Sequence, residues 1–197
     1  MNQNVQFFNA PALPPINDWE VFRYMGTKAV SEEMQALVLS CIDEARKCFG
    51  RRVCYREFDA CVIQNTVALG FTNVISSSLA KNLEGCDRII LFAATLGLGI
   101  DRLIAKYSRL SPARALCLQA LGTERIEALC HTFCCEMAKK YGRLKPRFSP
   151  GYGDLPLELQ KDIFRALDCP NSIGLSLNQS LLMTPTKSVT AIVGIRR

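Results

Sequence analysis

The run Ile89-Ile90-Leu91-Phe92-Ala93-Ala94, led in by Asp87-Arg88, is short, apolar and uninterrupted. A run of that length reads as a buried strand, and the residues on its C-terminal side decide the fold class. Thr95-Leu96-Gly97-Leu98-Gly99 opens a helix over residues 100–107, where a doubly wound fold would carry its dinucleotide fingerprint. The Gly-x-Gly spacing is there, but Arg102 stands where the third glycine belongs. The stretch reads first as a tight strand-to-helix turn, with a nucleotide-binding enzyme built on Gly97 and Gly99 as the alternative. The C-terminal part points elsewhere. Residues 173–175, 180–183 and 188–195 read as strands in succession, the last with Val189, Ala191, Val193 and Ile195 alternating with polar or small residues. Consecutive strands pair antiparallel, so the chain is expected to be α+β, not doubly wound.

Helices fill much of the rest. Residues 16–26, with Asp18, Trp19 and Phe22, enter the fold as a short helix or strand. Ser31 is a good N-cap for a helix carrying Met34, Leu37, Val38, Cys41 and Ile42, with Gly50 as its stop. Residues 52–64 alternate as a strand, and residues 71–75 extend the same sheet. Ser76-Ser77-Ser78 caps a short helix ending at Gly85. Ser111-Pro112 starts a long helix reaching about Lys140, with Ile126, Leu129, Cys130, Phe133 and Met137 as its apolar stripe. A last helix, residues 157–167, turns Glu158, Lys161 and Asp162 outward.

The 197 residues are expected to make one domain, residues 16–197, behind a polar, proline-containing arm, residues 1–15. No apolar stretch approaches the length of a membrane span, and residues 1–15 have no signal-peptide pattern. Ten cysteines without an export signal imply a reducing cytoplasm. Cys130, His131, Cys134 and Cys135 cluster. On a helix, Cys130 and Cys134 share a face and Cys135 turns away, so core packing explains them better than a metal site with its four paired ligands. The net charge of +6 has a local run at Lys139, Lys140, Arg143, Lys145 and Arg147. That run is either a solvated helix end or a docking patch for an acidic protein. No nucleic-acid motif accompanies it.

Arg147-Phe148-Ser149-Pro150-Gly151-Tyr152 is the candidate site. The guanidinium is a planar fork for a carboxylate or phosphate. Pro150 fixes its own φ and pushes Ser149 toward extended geometry. Gly151 lets a ligand approach the backbone, and Tyr152 offers a ring face and a hydroxyl. The set suits a small ligand carrying both a carboxylate and a positive charge. Glu127, on the long helix, is either a solvated face residue or a pocket acid.

Arg147-x-Ser-Pro-Gly-Tyr152, with Pro156 and Met183-Thr-Pro-Thr-Lys-Ser-Val-Thr190, resembles the activation domain of cobalamin-dependent methionine synthase. It resembles more closely the short stand-alone proteins built from that domain alone. The similarity runs from about Trp19 to Ile195. The resemblance implies a C-shaped α+β domain with a mainly antiparallel central sheet flanked by helices. It implies binding of S-adenosylmethionine and help in restoring an oxidised corrinoid. Cob(II)alamin on a partner is reduced by one electron from a flavodoxin or ferredoxin, and cob(I)alamin then takes the methyl group from S-adenosylmethionine. By the same resemblance, Arg147 would hold the methionine carboxylate. Ser149 and Gly151 would line the adenosyl group with backbone, and Tyr152 would pack on the ligand. Glu127 would compensate the amino or sulfonium charge. Asp18-Trp19-x-x-Phe22 matches an acid near the family's start, and Val193-Gly194 would offer backbone contacts. A second family acid, a few residues before the arginine, is not evident, and Tyr141-Gly142-Arg143 occupies that region.

The chain shows no Asp-x-His-x-x-Gly cobalamin motif, since its one histidine is His131, and no flavin motif. The resemblance therefore makes it a detached reactivation subunit for methionine synthase and methionine biosynthesis, with cobalamin on a separate corrinoid-binding methyltransferase subunit. The alternative is a non-catalytic docking subunit for another corrinoid methyltransferase.

Overall fold

The structure, a computed structural model, describes residues 4–27 and 29–196. The outermost residues of the expected arm and domain, 1–3 and 197, lie outside it, as does Lys28. Along the chain, strand β1 (Gln6–Asn9) is followed by helices α1 (Asp18–Tyr24) and α2 (Glu32–Ala45), a 3-10 turn (Arg46–Cys48) and strand β2 (Arg52–Asp59). Short strands β3 (Cys61–Ile63), β4 (Thr66–Ala68) and β5 (Asn73–Ile75) lead into α3 (Ser77–Asn82) and β6 (Cys86–Thr95). Helices α4 (Leu98–Leu110), α5 (Pro112–Tyr141), α6 (Leu159–Leu167) and α7 (Cys169–Ile173) come next. Strands β7 (Ser176–Leu177), β8 (Met183–Thr184) and β9 (Ser188–Arg196) end the fold.

The main sheet has the order β1-β2-β6-β9 and is antiparallel throughout, which makes the domain α+β as its sequence implies. The apolar run lies in β6, between β2 and β9. Its alternate side chains go to opposite faces. Ile90, Phe92 and Ala94 join the core under α1, α2, α4 and α5, while Ile89, Leu91 and Ala93 join the core under α3, α6 and α7. A strand covered on both faces has no reason to alternate, so its sequence is continuously apolar.

Local chemistry starts and stops the helices. Ser31 Oγ accepts from Met34 N at 3.3 Å, and Ser111 Oγ accepts from Arg114 N at 3.5 Å with Pro112 in the first turn. Such a cap stabilises a helix by about 1 kcal/mol. The expected stripe of α5, from Ile126 to Met137, is buried. Phe133 is its centre, with ring centroids of Phe8, Tyr55 and Phe92 at 5.3, 5.4 and 4.7 Å. That cluster ties edge strand β1, through Phe8, to the long helix. Burying a ring of that size contributes roughly 1.5–3 kcal/mol.

Several elements differ from expectation. Helix α2 ends at Ala45, short of Gly50. Gly50 instead donates to Leu96 O at 2.7 Å, and a Cβ there would sit 2.8 Å from that oxygen. Residues 73–75 pair within the separate β3-β4-β5 sheet and do not extend the main one. Residues 173–175 are not a strand: Pro170, favourable in a first helical turn, sits in α7, which runs to Ile173. Of residues 180–183 only Met183 pairs, opposite Leu177. Among the described residues no helix is long and apolar enough to cross a membrane.

Candidate functional site

Helix α5 stops at Gly142, and the chain then runs back along the outer edge of β9. Lys145 N donates to Gly194 O at 2.8 Å. Phe148 N donates to Ile192 O at 2.9 Å, and Ile192 N returns to Phe148 O at 2.8 Å. The segment from Leu144 to Phe148 is thus registered on the sheet like a broken fifth strand. This places the Arg147 side chain against α5, where Nη2 donates to Glu127 Oε2 at 2.7 Å. Both partners are partly open, at 30% and 43% side-chain exposure. Burial opposes the Arg147 cation, but the hydrogen bond to Glu127 and the field of its neighbours outweigh it, so its pKa is raised. One donor goes to Glu127, and the fork has four others.

The turn after Pro150 is closed by its own backbone. Tyr152 N donates to Ser149 O, Leu155 N to Tyr152 O, and Gly151 N to Leu155 O, at 3.1, 3.0 and 2.9 Å. Gly151 has φ +88°, in the left-handed region that glycine enters at no steric cost. Asp154 then anchors the turn to the start of α3. It accepts from Ser76 Oγ and Ser77 Oγ at 2.5 Å each, from Ser77 N at 2.8 Å and from Ser78 N at 3.1 Å. The Ser76 and Ser77 hydroxyls, with these backbone donors, hold its carboxyl well below the usual carboxylate range. The triple serine therefore serves twice, since Ser76 Oγ also accepts from Leu79 N as the cap of α3.

These elements enclose a cleft of about 770 Å³. Glu127, Arg147, Ser149 and Tyr152 line it; Gly151 does not, and shapes the turn beside it. The facing wall is Gln160 from α6 with Ser188 and Thr190 from β9, and Leu157, Leu182 and Met183 add apolar surface. Thr186, also on the wall, is held by Asp101 of α4 through its N–H and its hydroxyl, at 2.7 Å each. Gln160 was not legible as a lining residue, nor Asp101 as the support of Thr186 behind the wall. Each sits on a helix among charged neighbours, and no spacing marks its role.

Other expected contributors lie elsewhere. Asp18, Trp19 and Phe22 line a separate recess with Val38 and Leu39 of α2. Val193 and Gly194 are paired with β6, and the Gly194 carbonyl is taken by Lys145. At the Gly97–Gly99 turn, a Cβ on Gly99 would clash with the Cys48 carbonyl oxygen, so the close approach there is made by the protein's own backbone. Of the basic run, Lys139 pairs with Glu136 at 2.6 Å and Lys140 with Glu57 at 3.6 Å. Burial pushes the Cys130 and Cys134 thiols up to about 12 and about 11. Both thiols behave as small hydrophobes of the core face. Cys135 Sγ lies 3.4 Å from His131 Nε2 at the surface, and no group of three or more metal-binding side chains occurs among the described residues.

No protein-family model matches the chain, and no curated protein matches it. Among solved structures, a crystal structure of the MetH reactivation domain bound to AdoHcy superposes with a TM-score of 0.75 at 18% identity, over 98% of this chain and 78% of that one. The chain has the fold of the MetH reactivation domain.

Proposed function

We propose that the chain binds S-adenosylmethionine in the cleft behind Arg147 and acts as the reactivation subunit of a corrinoid-dependent methionine synthase, with the corrinoid on a separate protein. The observation that carries this is the Arg147–Glu127 pair on a cleft wall, in a fold of which one solved example holds AdoHcy. The pair matches the charges of the ligand. Remaining donors of Arg147 take the methionine carboxylate, and Glu127 faces the amino group or the sulfonium. Ser149 contributes polar contacts, Gly151 shapes the turn, and the exposed Tyr152 ring closes over the ligand.

The methyl group leaves the sulfonium for a reduced corrinoid presented by the partner, and S-adenosylhomocysteine remains in the cleft. One electron from a flavodoxin or ferredoxin keeps the acceptor reduced. The residues of this chain are needed for positioning and charge compensation, not for proton transfer.

Isothermal calorimetry with S-adenosylmethionine, S-adenosylhomocysteine and NADH tests the reading. Saturable binding of the first two and none of NADH is expected. If S-adenosylmethionine fails to bind, both alone and with a corrinoid methyltransferase present, the reading is wrong. Binding of NADH instead would favour a nucleotide site at the Gly97–Gly99 turn.

A further inference from the structure

Helix α6 carries one polar side chain on its inner face. Leu159, Ile163 and Leu167 point into the core, while Lys161 and Arg165 are exposed. Gln160 goes inward with the leucines, is only 5% exposed, and lines the cleft. An amide taken from water is costly unless its polar atoms find partners. Gln160 Oε1 accepts from Thr190 Oγ1 at 2.8 Å, and Thr190 is itself buried in β9. Gln160 Nε2 has no hydrogen-bond partner among the described residues, and it is not one of the side-chain nitrogens sealed from solvent without one. The residue that carries it lines the cleft.

We infer that Gln160 reads the base of the bound nucleoside, its Nε2 donating to a ring nitrogen of the purine while Thr190 holds the amide plane. This rests on the S-adenosylmethionine reading of the cleft and adds which group recognises the neutral end of the ligand. The wall is divided by chemistry. Glu127 and Arg147 carry charge and suit an amino-acid end. The Gln160 amide carries none and suits a neutral heteroaromatic edge, with Met183 and Val189 as apolar surface for the ring faces. A buried group built to hydrogen-bond a ligand rejects analogues that lack the partner, because it is then left unpaired.

The test is calorimetric titration of the wild-type chain, Gln160→Met and Thr190→Val. Two ligands are used: S-adenosylmethionine, and S-methylmethionine, which keeps the sulfonium and the amino-acid end but has no nucleoside. Gln160→Met is expected to weaken S-adenosylmethionine about tenfold, and Thr190→Val about threefold. S-methylmethionine is expected to bind all three proteins alike. Unchanged S-adenosylmethionine affinity in Gln160→Met overturns the inference, and so does an equal loss for both ligands, which marks a packing role. If circular dichroism shows Gln160→Met unfolded, the near-isosteric Thr190→Val decides by the same criteria. If the wild-type chain binds neither ligand, the reading of the cleft fails and this inference falls with it. If the wild type binds and Gln160→Met binds equally, only Gln160 falls.

Discussion

Helix α5 carries two glutamates one turn apart, each paired with an arginine, and the two pairs do different things. Glu124 and Arg125 are sealed, with side-chain exposures of 7% and 6%. The incoming chain takes further donors and an acceptor: Arg125 donates to Pro14 O at 2.8 Å and to Pro15 O at 3.3 Å, and Glu124 accepts from Asn17 N at 3.2 Å. Glu127 and Arg147 have the same chemistry but stay 43% and 30% exposed on a cleft. The first pair fastens residues 14–17 to the domain. The second has donors and acceptors to spare, which is what a ligand requires. Residue type does not separate a sealed pair from one open to a cleft; burial and satisfaction of hydrogen bonds do.

The largest expected effect comes from breaking the sealed pair. Glu124→Ala leaves the Arg125 charge buried without its partner and should destabilise the fold by about 3–5 kcal/mol, read by urea denaturation. A loss under about 1 kcal/mol would mean that the pair is not sealed in solution. Breaking the open pair should do the reverse. Arg147→Ala should change stability by no more than about 1 kcal/mol, yet weaken S-adenosylmethionine by about 1.5–3 kcal/mol, roughly 10- to 150-fold. Unchanged affinity in that variant would remove Arg147 from the site. The smallest effect concerns what holds the open pair in place. The Asp154 carboxyl is held below its ordinary value by the serines of α3, so its contribution is full above the usual aspartate pKa of about 3.9 and is lost as pH falls through the lower folded value. Asp154→Asn should therefore melt below wild type at pH 7, with the gap closing in acid below about pH 4. A gap that widens there would contradict the anchor.

Much of the fold was legible because its signals are local. Ser111-Pro112 marks the start of α5, the stripe from Ile126 to Met137 marks its buried face, and the continuous run of β6 marks a strand covered on both sides. Part of the candidate cleft was legible for the same reason: Arg147, Pro150 and Tyr152 line it and Gly151 shapes the turn beside it, all within a few residues. The illegible parts depend on partners far along the chain. Gly50 looks like a helix stop because its real neighbour, the Leu96 carbonyl, comes from another strand. Ser76-Ser77-Ser78 looks like a cap and nothing more, because Asp154 is not adjacent. Gln160 looks like one more polar residue of a surface helix until β9 brings Thr190 to it.

The sequence by itself determined the helix and strand periods, the caps and the turn after Pro150, since each arises from sterics and hydrogen bonds within a few residues. Only the tertiary structure decided which of two like glutamates is sealed and which faces a cleft. That depends on where the segment of Pro14 and Pro15, and the return of the chain along β9, come to rest on α5. Desolvation is a property of everything packed around a group, and the neighbours that set it for Glu124 and Glu127 lie far away in the chain.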